Sequence, residues 1–282
     1  MTVDVLGVRQ RSASPPFVGE LFGREPLYAG AALCLAALVA PTLVAMTLDE
    51  RTLLGVNVWL KPLRFEIALA VYLATLAWFA GWLPERVIAT RWYRTYAASV
   101  VAAIAAEMVW IGAAAAFGTA SHFNESSPMM AWTYRLMGGL AVLLTSSALV
   151  YGILILRHRN SRLDPAFRLS VGIGLVLTFF LTVAVAGYMA SSGGHFVGDR
   201  STVAPGAPFM GWARDRGDLR VAHFFGTHAM HFIPAFGFVV SLVLSASAAR
   251  RAVIVFSAVF VAFVGYTFGE ALMGRSFLAM LP

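Results

Sequence analysis

Charge is scarce in this chain. Only 12% of its 282 residues are Asp, Glu, Lys or Arg, against 59% apolar, and mean hydropathy is +0.76. A water-soluble body must cover itself with polar groups, so this balance excludes a soluble domain and makes the chain a membrane protein. Lysine is rarer still, with Lys61 the single one. A retinal protein needs a Schiff-base lysine in its last helix, so that class is excluded. The one cysteine, Cys34, sits in an apolar run and excludes a disulfide framework, CxxC redox chemistry and a Cys-based zinc module. No internal repeat is visible, which disfavours an inverted-repeat transporter. There is no GxSG-type nucleophile for an intramembrane serine protease. Histidines and glutamates occur, but without the paired HxxxH of zinc-dependent membrane hydrolases of the ceramidase and adiponectin-receptor type.

What is present is a series of long apolar runs. A hydrocarbon core of about 30 Å needs about 20 apolar residues as helix, and seven segments qualify: 27–48, 62–83, 96–118, 130–156, 169–190, 219–246 and 252–273. Strands are not expected, because barrel strands alternate and are about half as long. The sequence therefore predicts an all-α polytopic membrane protein, a bundle of seven transmembrane helices. A polar segment, 1–26, precedes the transmembrane domain at 27–274, and a short tail, 275–282, follows it. The first apolar run is too long and too far along the chain for a cleaved signal peptide, so it is expected to stay as helix one.

The net charge of +7 and the pI near 10.1 raise the question of nucleic acid, and the positions of the charges answer it. Twelve arginines and five acids fall in the N-terminal segment and in the loops after helices two, four and six, including Arg86, Arg91, Arg94, Arg157, Arg159, Arg162, Arg168, Arg250 and Arg251. The whole excess thus lies on one face. The positive-inside rule makes that face cytoplasmic, with the N-terminus inside and the C-terminus outside, and no nucleic-acid partner is needed.

Ionisable residues near or within the membrane gather toward the outer ends of the helices. Lys61, Arg64 and Glu66 open helix two, Glu107 lies in the second half of helix three, and His122 and Asn124 follow it. Arg135 begins helix four; Asp218, Arg220, His223, His228 and His231 begin helix six; Glu270 and Arg275 close helix seven. A charge in hydrocarbon costs at least about 2.5–3.5 kcal/mol, so these residues are expected to face an outward-opening polar cavity. At about 1.5 Å per residue, His231 lies roughly 18 Å deep and Glu107 roughly 16 Å, with His228 one turn above His231 on the same helix face. A deep tier of Glu107, His228 and His231 would then sit beneath a mostly cationic shallow tier. Blander explanations exist for each part. The histidines suit helix-contact hydrogen bonds, Glu107 a structural bridge, Lys61 and Arg64 snorkelling beside Trp59, and Asp218 with Arg220 a loop-to-helix pair.

The strings NVWLKPLRFEIALAVY, GTASHFN and GDLRVAHFFGTHAMHFIP resemble those of a family of uncharacterised bacterial multi-pass membrane proteins with KPLRF, SHFN and GDLRxAHF motifs. The resemblance implies a bacterial inner membrane and directs attention to Lys61, Arg64, His122, Asn124, Asp218, Arg220, His223 and His228. It brings no activity with it, and in that family a glutamine tends to stand where this chain has His231.

Three functions are open at this point. In a metal- or single-haem-dependent membrane enzyme or redox protein, Glu107, His228 and Glu270 would be catalytic. His122, His223, His228, His231 and Glu107 would supply ligands to a divalent metal or one haem. Lys61, Arg64, Asn124, Arg135, Asp218, Arg220 and Arg275 would hold a hydrophobic or anionic substrate. The alternative is a proton-linked transporter or sensor of a small anionic or lipid-like ligand, whose binding would change between about pH 5 and 8. The third is a scaffold subunit of a membrane complex. Finally, the connection 191–218 is far longer than the others and rich in Gly, Pro and Ser, and it is expected to be an irregular lid over the cavity mouth.

Overall fold

The computed structural model describes residues 17–53, 55–158, 163–198, 206–207 and 210–277. Arg159, Arg162, Asp199, Arg200, Pro205, Pro208, Phe209 and residues 1–16 and 278–282 lie outside that set. The described chain is all-α apart from two antiparallel ladders of two residues per strand. Six of its helices are long and apolar enough to cross a bilayer, and a bent pair forms one further span if its members are counted together. The chain divides into two compact units, residues 9–147 and 148–282.

The first unit begins with α1 (Phe17–Arg24), within the segment that the sequence marks only as polar. Its Leu21 is buried while Phe17, Val18 and Phe22 are exposed, a pattern that composition alone does not reveal. The first span, α2 (Pro26–Leu48), starts on a proline, whose missing N–H costs nothing in a first turn. A hairpin of β1 (Thr52–Leu53) and β2 (Val56–Asn57) leads into α3 (Leu60–Ala80). The short α4 (Glu85–Ile88) precedes α5 (Arg91–Ala116), whose N-cap Thr90 accepts the Tyr93 N–H. Arg91 and Arg94 are thus first-turn residues of a helix and not loop residues. The core of this unit is made by Tyr28, Leu73, Leu76, Val100 and Ile104. Tyr72 and Tyr96 bind Ser147 and Ser146 of α6 (Pro128–Arg157) at 2.8 and 2.7 Å, tying that helix to α3 and α5 through hydroxyls in otherwise apolar surroundings.

In the second unit the remainder of α6 is followed by α7 (Pro165–Ser191), capped by the Asp164 carboxylate. The expected continuous helix six is broken. It forms α8 (Leu219–Thr227) and α9 (Ala229–Val243), bent by 50° at His228. Two features weaken the helix ladder around the break. Pro234 has no N–H to return to the Met230 carbonyl, and the Thr227 hydroxyl bonds back to the His223 carbonyl at 2.5 Å, competing with the helix ladder. The last span, α10 (Ala246–Leu272), begins six residues earlier than expected, so Arg250 and Arg251 lie in its opening turns and not in a loop. Small residues let α7 and α9 approach closely. A β-carbon on Gly174 would fall 2.9 Å from both the Ala229 carbonyl oxygen and the Pro234 ring, and one on Gly237 would collide with Ser170.

The long connection is less irregular than its composition suggests. Its ends join as β3 (Phe196–Val197) and β4 (Gly217–Asp218), with Phe196 opposite Asp218. Its described later part packs on the second unit: the Trp212 ring lies 5.5 Å from Phe224 and 6.2 Å from Phe277, and the Ser276 hydroxyl donates to the Ala213 carbonyl.

Candidate functional site

In the first unit, α3 and α5 bring Lys61 and Glu107 within electrostatic reach of one another, although no direct ion pair joins them. Lys61 is half-buried against the Phe65 ring, four residues on along the same helix. Glu107 is 3% exposed, and its Oε1 has no hydrogen-bond partner among the described residues. His122 comes from the loop after α5, which is pinned by the Trp110 indole donating to the Ser121 carbonyl at 2.8 Å. Its ring is packed among Phe65, Phe123 and Tyr134, with Nδ1 3.1 Å from the Ser121 hydroxyl. Burial first, and then the neighbouring Lys61 charge, push the His122 imidazole down to about 3. It is therefore neutral at physiological pH. Phe123 adopts φ +56°, a left-handed conformation unusual for a bulky residue, and so keeps its ring over Tyr134 at 5.4 Å.

Glu66 is also buried, at 4% exposure, but faces α2. Its Oε1 accepts the Thr42 hydroxyl at 2.7 Å and its Oε2 has no hydrogen-bond partner among the described residues. Other expected binders are placed differently. Asn124 uses its amide on its own loop, donating to Ala120 and Thr119 and accepting from Ser126. Arg135 is exposed, 5.9 Å over Trp132, and Arg64 is half-buried on α3. Near the same ends of the helices, Arg51 and the Trp59 indole both bind Asp49, and their hydrogen bonds hold that carboxyl below the usual carboxylate range. Arg51 also donates to the Ala116 carbonyl at the C-terminus of α5.

In the second unit, Asp218 and Arg220 form the loop-to-helix pair. The Asp218 carboxylate, 2% exposed, accepts the Ala213 and Arg220 N–H groups and an ion pair from the Arg220 guanidinium at 2.6 Å. Arg220 also donates to the Gly211 carbonyl and lies 4.9 Å over Phe196. These contacts hold the loop to the start of α8. Glu270 is 5% exposed, receives a long 3.4 Å contact from the exposed Arg275, and keeps Oε2 without a hydrogen-bond partner among the described residues.

The three histidines of this unit gather at the break. His228 and His231 meet Nδ1 to Nδ1 at 3.1 Å, and His228 also packs on Phe224 with ring centroids 4.3 Å apart. A hydrogen bond between two ring nitrogens requires one Nδ1 to carry a proton and the other to accept it, so this contact needs one Nδ1–H and one bare Nδ1. His223, one turn earlier on α8, is within electrostatic reach of His228, and its buried Nδ1 has no hydrogen-bond partner among the described residues. The break frees backbone groups, and one is recovered by Thr178 of α7, whose hydroxyl accepts the Met230 N–H at 2.8 Å.

No group of three or more His, Cys, Asp or Glu side chains positioned to hold a metal ion occurs among the described residues. His122 and Glu107 belong to the first unit, and His223, His228, His231 and Glu270 to the second. Comparison with known proteins adds no relative: no family model matches the chain, and neither a curated protein nor a solved structure matches it significantly.

Sequence inspection missed Thr42, Ser121, Tyr134 and Thr178. A hydroxyl in an apolar helix is an ordinary residue by composition, and only its partner shows that it matters.

Proposed function

We propose that the chain is a seven-span protein of a bacterial inner membrane, N-terminus inside and C-terminus outside, that couples protonation to the binding or passage of a small anionic or lipid-like ligand. The observation that carries this reading is the His228–His231 pair at a 50° break in an apolar helix. Discontinuous membrane helices are tolerated where the freed backbone lines a cavity or is buried in protein, and in transporters they mark ligand sites. A hydrogen bond between the two imidazoles makes the geometry of the break depend on protonation, because two Nδ1–H groups repel each other and part. The buried Glu270, with Arg275, supplies a further proton acceptor and a cation for an anionic ligand in the same unit as the pair. The orientation rests on the arginine excess in the segments assigned to the cytoplasmic face.

A metal or haem fits these residues less well. The two histidine nitrogens that meet are engaged with each other, and among the described residues no group of three His, Cys, Asp or Glu side chains is placed to hold a metal ion.

Trp212 offers a direct test, since it packs on Phe224, which in turn packs on His228. In purified protein titrated from about pH 8 to about pH 4, the Trp212 emission, isolated by subtracting the Trp212→Phe variant, should shift in one transition. That transition should be lost in both His228→Gln and His231→Gln. An unchanged transition in the two variants would remove the pair from the mechanism.

A further inference from the structure

We propose that the first unit binds an amine-bearing zwitterionic phospholipid, of the phosphatidylethanolamine kind, in the cleft between the α1–α2 corner and α4–α5. This site is separate from the histidine pair and does not depend on the proton-linked reading.

The cleft has a volume of about 510 Å³, within the range of about 300–1,000 Å³ common for ligand pockets. Arg24, Glu25, Glu85, Tyr93 and Arg94 line it. It lies where α2 begins, α3 ends and α5 begins, and the ends of spans are where headgroups meet the protein, whichever side of the membrane this is.

Its charges divide into occupied and available ones. Glu25 is buried and occupied, accepting the Leu27 N–H on one oxygen and the Tyr93 hydroxyl on the other. Arg24 is largely committed. It donates to the Trp78 carbonyl at 2.6 Å, pairs with Glu20 at 2.6 Å and lies 3.9 Å over the Trp78 ring. Two charges remain. Arg94 is exposed and, among the described residues, uses one nitrogen, at 3.3 Å on the Ala89 carbonyl, which leaves most of its five N–H donors for a phosphate. Glu85 is exposed and makes no side-chain hydrogen bond or ion pair among the described residues. One available guanidinium and one available carboxylate on a single cleft match a phosphate and a primary ammonium on a single headgroup. A phosphatidylglycerol headgroup offers Glu85 no cation, and a choline headgroup offers it no N–H donor.

A second cleft of about 390 Å³ holds an acyl chain. Phe17, Val71, Ala74, Thr75 and Trp78 line it, nearly all with apolar atoms. The Arg24–Trp78 stack stands between the two clefts, with Arg24 lining the first and Trp78 the second. Gly81 permits that stack, because a β-carbon there would come within 2.9 Å of the Arg24 side chain.

The test uses the full chain in detergent, titrated with short-chain phosphatidylethanolamine, phosphatidylglycerol or phosphatidylcholine, with bound lipid counted by native mass spectrometry. Phosphatidylethanolamine should bind about tenfold more tightly than the other two. Glu85→Gln should bring it to the level of phosphatidylcholine, and Arg94→Gln should weaken phosphatidylethanolamine and phosphatidylcholine alike. Both side chains are exposed, so both variants should keep the parental melting temperature. Equal binding of the three lipids, tighter phosphatidylglycerol binding, or an intact preference in Glu85→Gln would each overturn the proposal. So would full competition by soluble phosphoethanolamine at the same concentration.

Discussion

Thr178 on α7 accepts the backbone N–H of Met230 at 2.8 Å, so a side chain from one helix completes the hydrogen bonding of another just past its break. Both residues are buried, at 1% and 0% exposure. Thr178→Val keeps the shape and removes the acceptor, leaving a buried donor unpaired. It should cost about 1–2 kcal/mol, read as a lower melting temperature in detergent, while Thr178→Ser should retain most of the stability. Equal losses in the two variants would assign the effect to packing and not to the hydrogen bond.

Thr42 and Glu66 are coupled in the first unit, and mutations at the two should not add. Thr42→Val removes the one hydrogen bond that the Glu66 carboxylate receives among the described residues, and should destabilise by about 1–3 kcal/mol. With Glu66→Met already in place, the same change should cost much less, because no buried carboxylate is then left behind. A double-mutant cycle on thermal unfolding measures the difference, and additive losses would mean that the pair is not coupled.

His122 should give the stability of the first unit an acid-side slope. Its ordinary value near 6.5 falls to about 3 in the folded chain, through burial and then the Lys61 charge. Between those values the unfolded chain takes up a proton that the folded chain refuses. Stability is therefore complete above about pH 6.5 and declines as pH falls toward 3. His122→Phe keeps the aromatic packing against Phe65 and Tyr134, and its melting temperature should depend less on pH across that window. A slope identical to that of the parent would place the titration elsewhere.

Gly217 anchors the long connection. A β-carbon at this position would run into the Ala271 carbonyl of α10, so Gly217→Ala should loosen the β3–β4 ladder from that helix end. Limited proteolysis between residues 191 and 218 should become faster, with the spans still assembled by circular dichroism. If ligand handling then changes as well, the connection acts as a lid; unchanged cleavage would show that the ladder is held by other contacts, with Trp212 the next candidate.

That the chain carries helices long and apolar enough to cross a bilayer was legible in the sequence, because it depends only on the length and apolarity of uninterrupted runs. The run from Leu27 to Leu48 differs by one residue from the helix observed. The position of each ionisable residue along its helix could be read in the same way. Side-chain partnership was not. Asn124 and Asp218 looked like ligand contacts, yet one organises its own loop and the other caps α8. The break at His228 was equally hidden, because Pro234 and Thr227 weaken a helix without specifying whether it bends. Bending is favourable here because Gly174 lets α7 come close and Thr178 accepts the Met230 N–H. Hydrophobicity is a property of each segment and can be read locally, whereas a hydrogen bond needs two partners, and only the tertiary structure decides which residues meet.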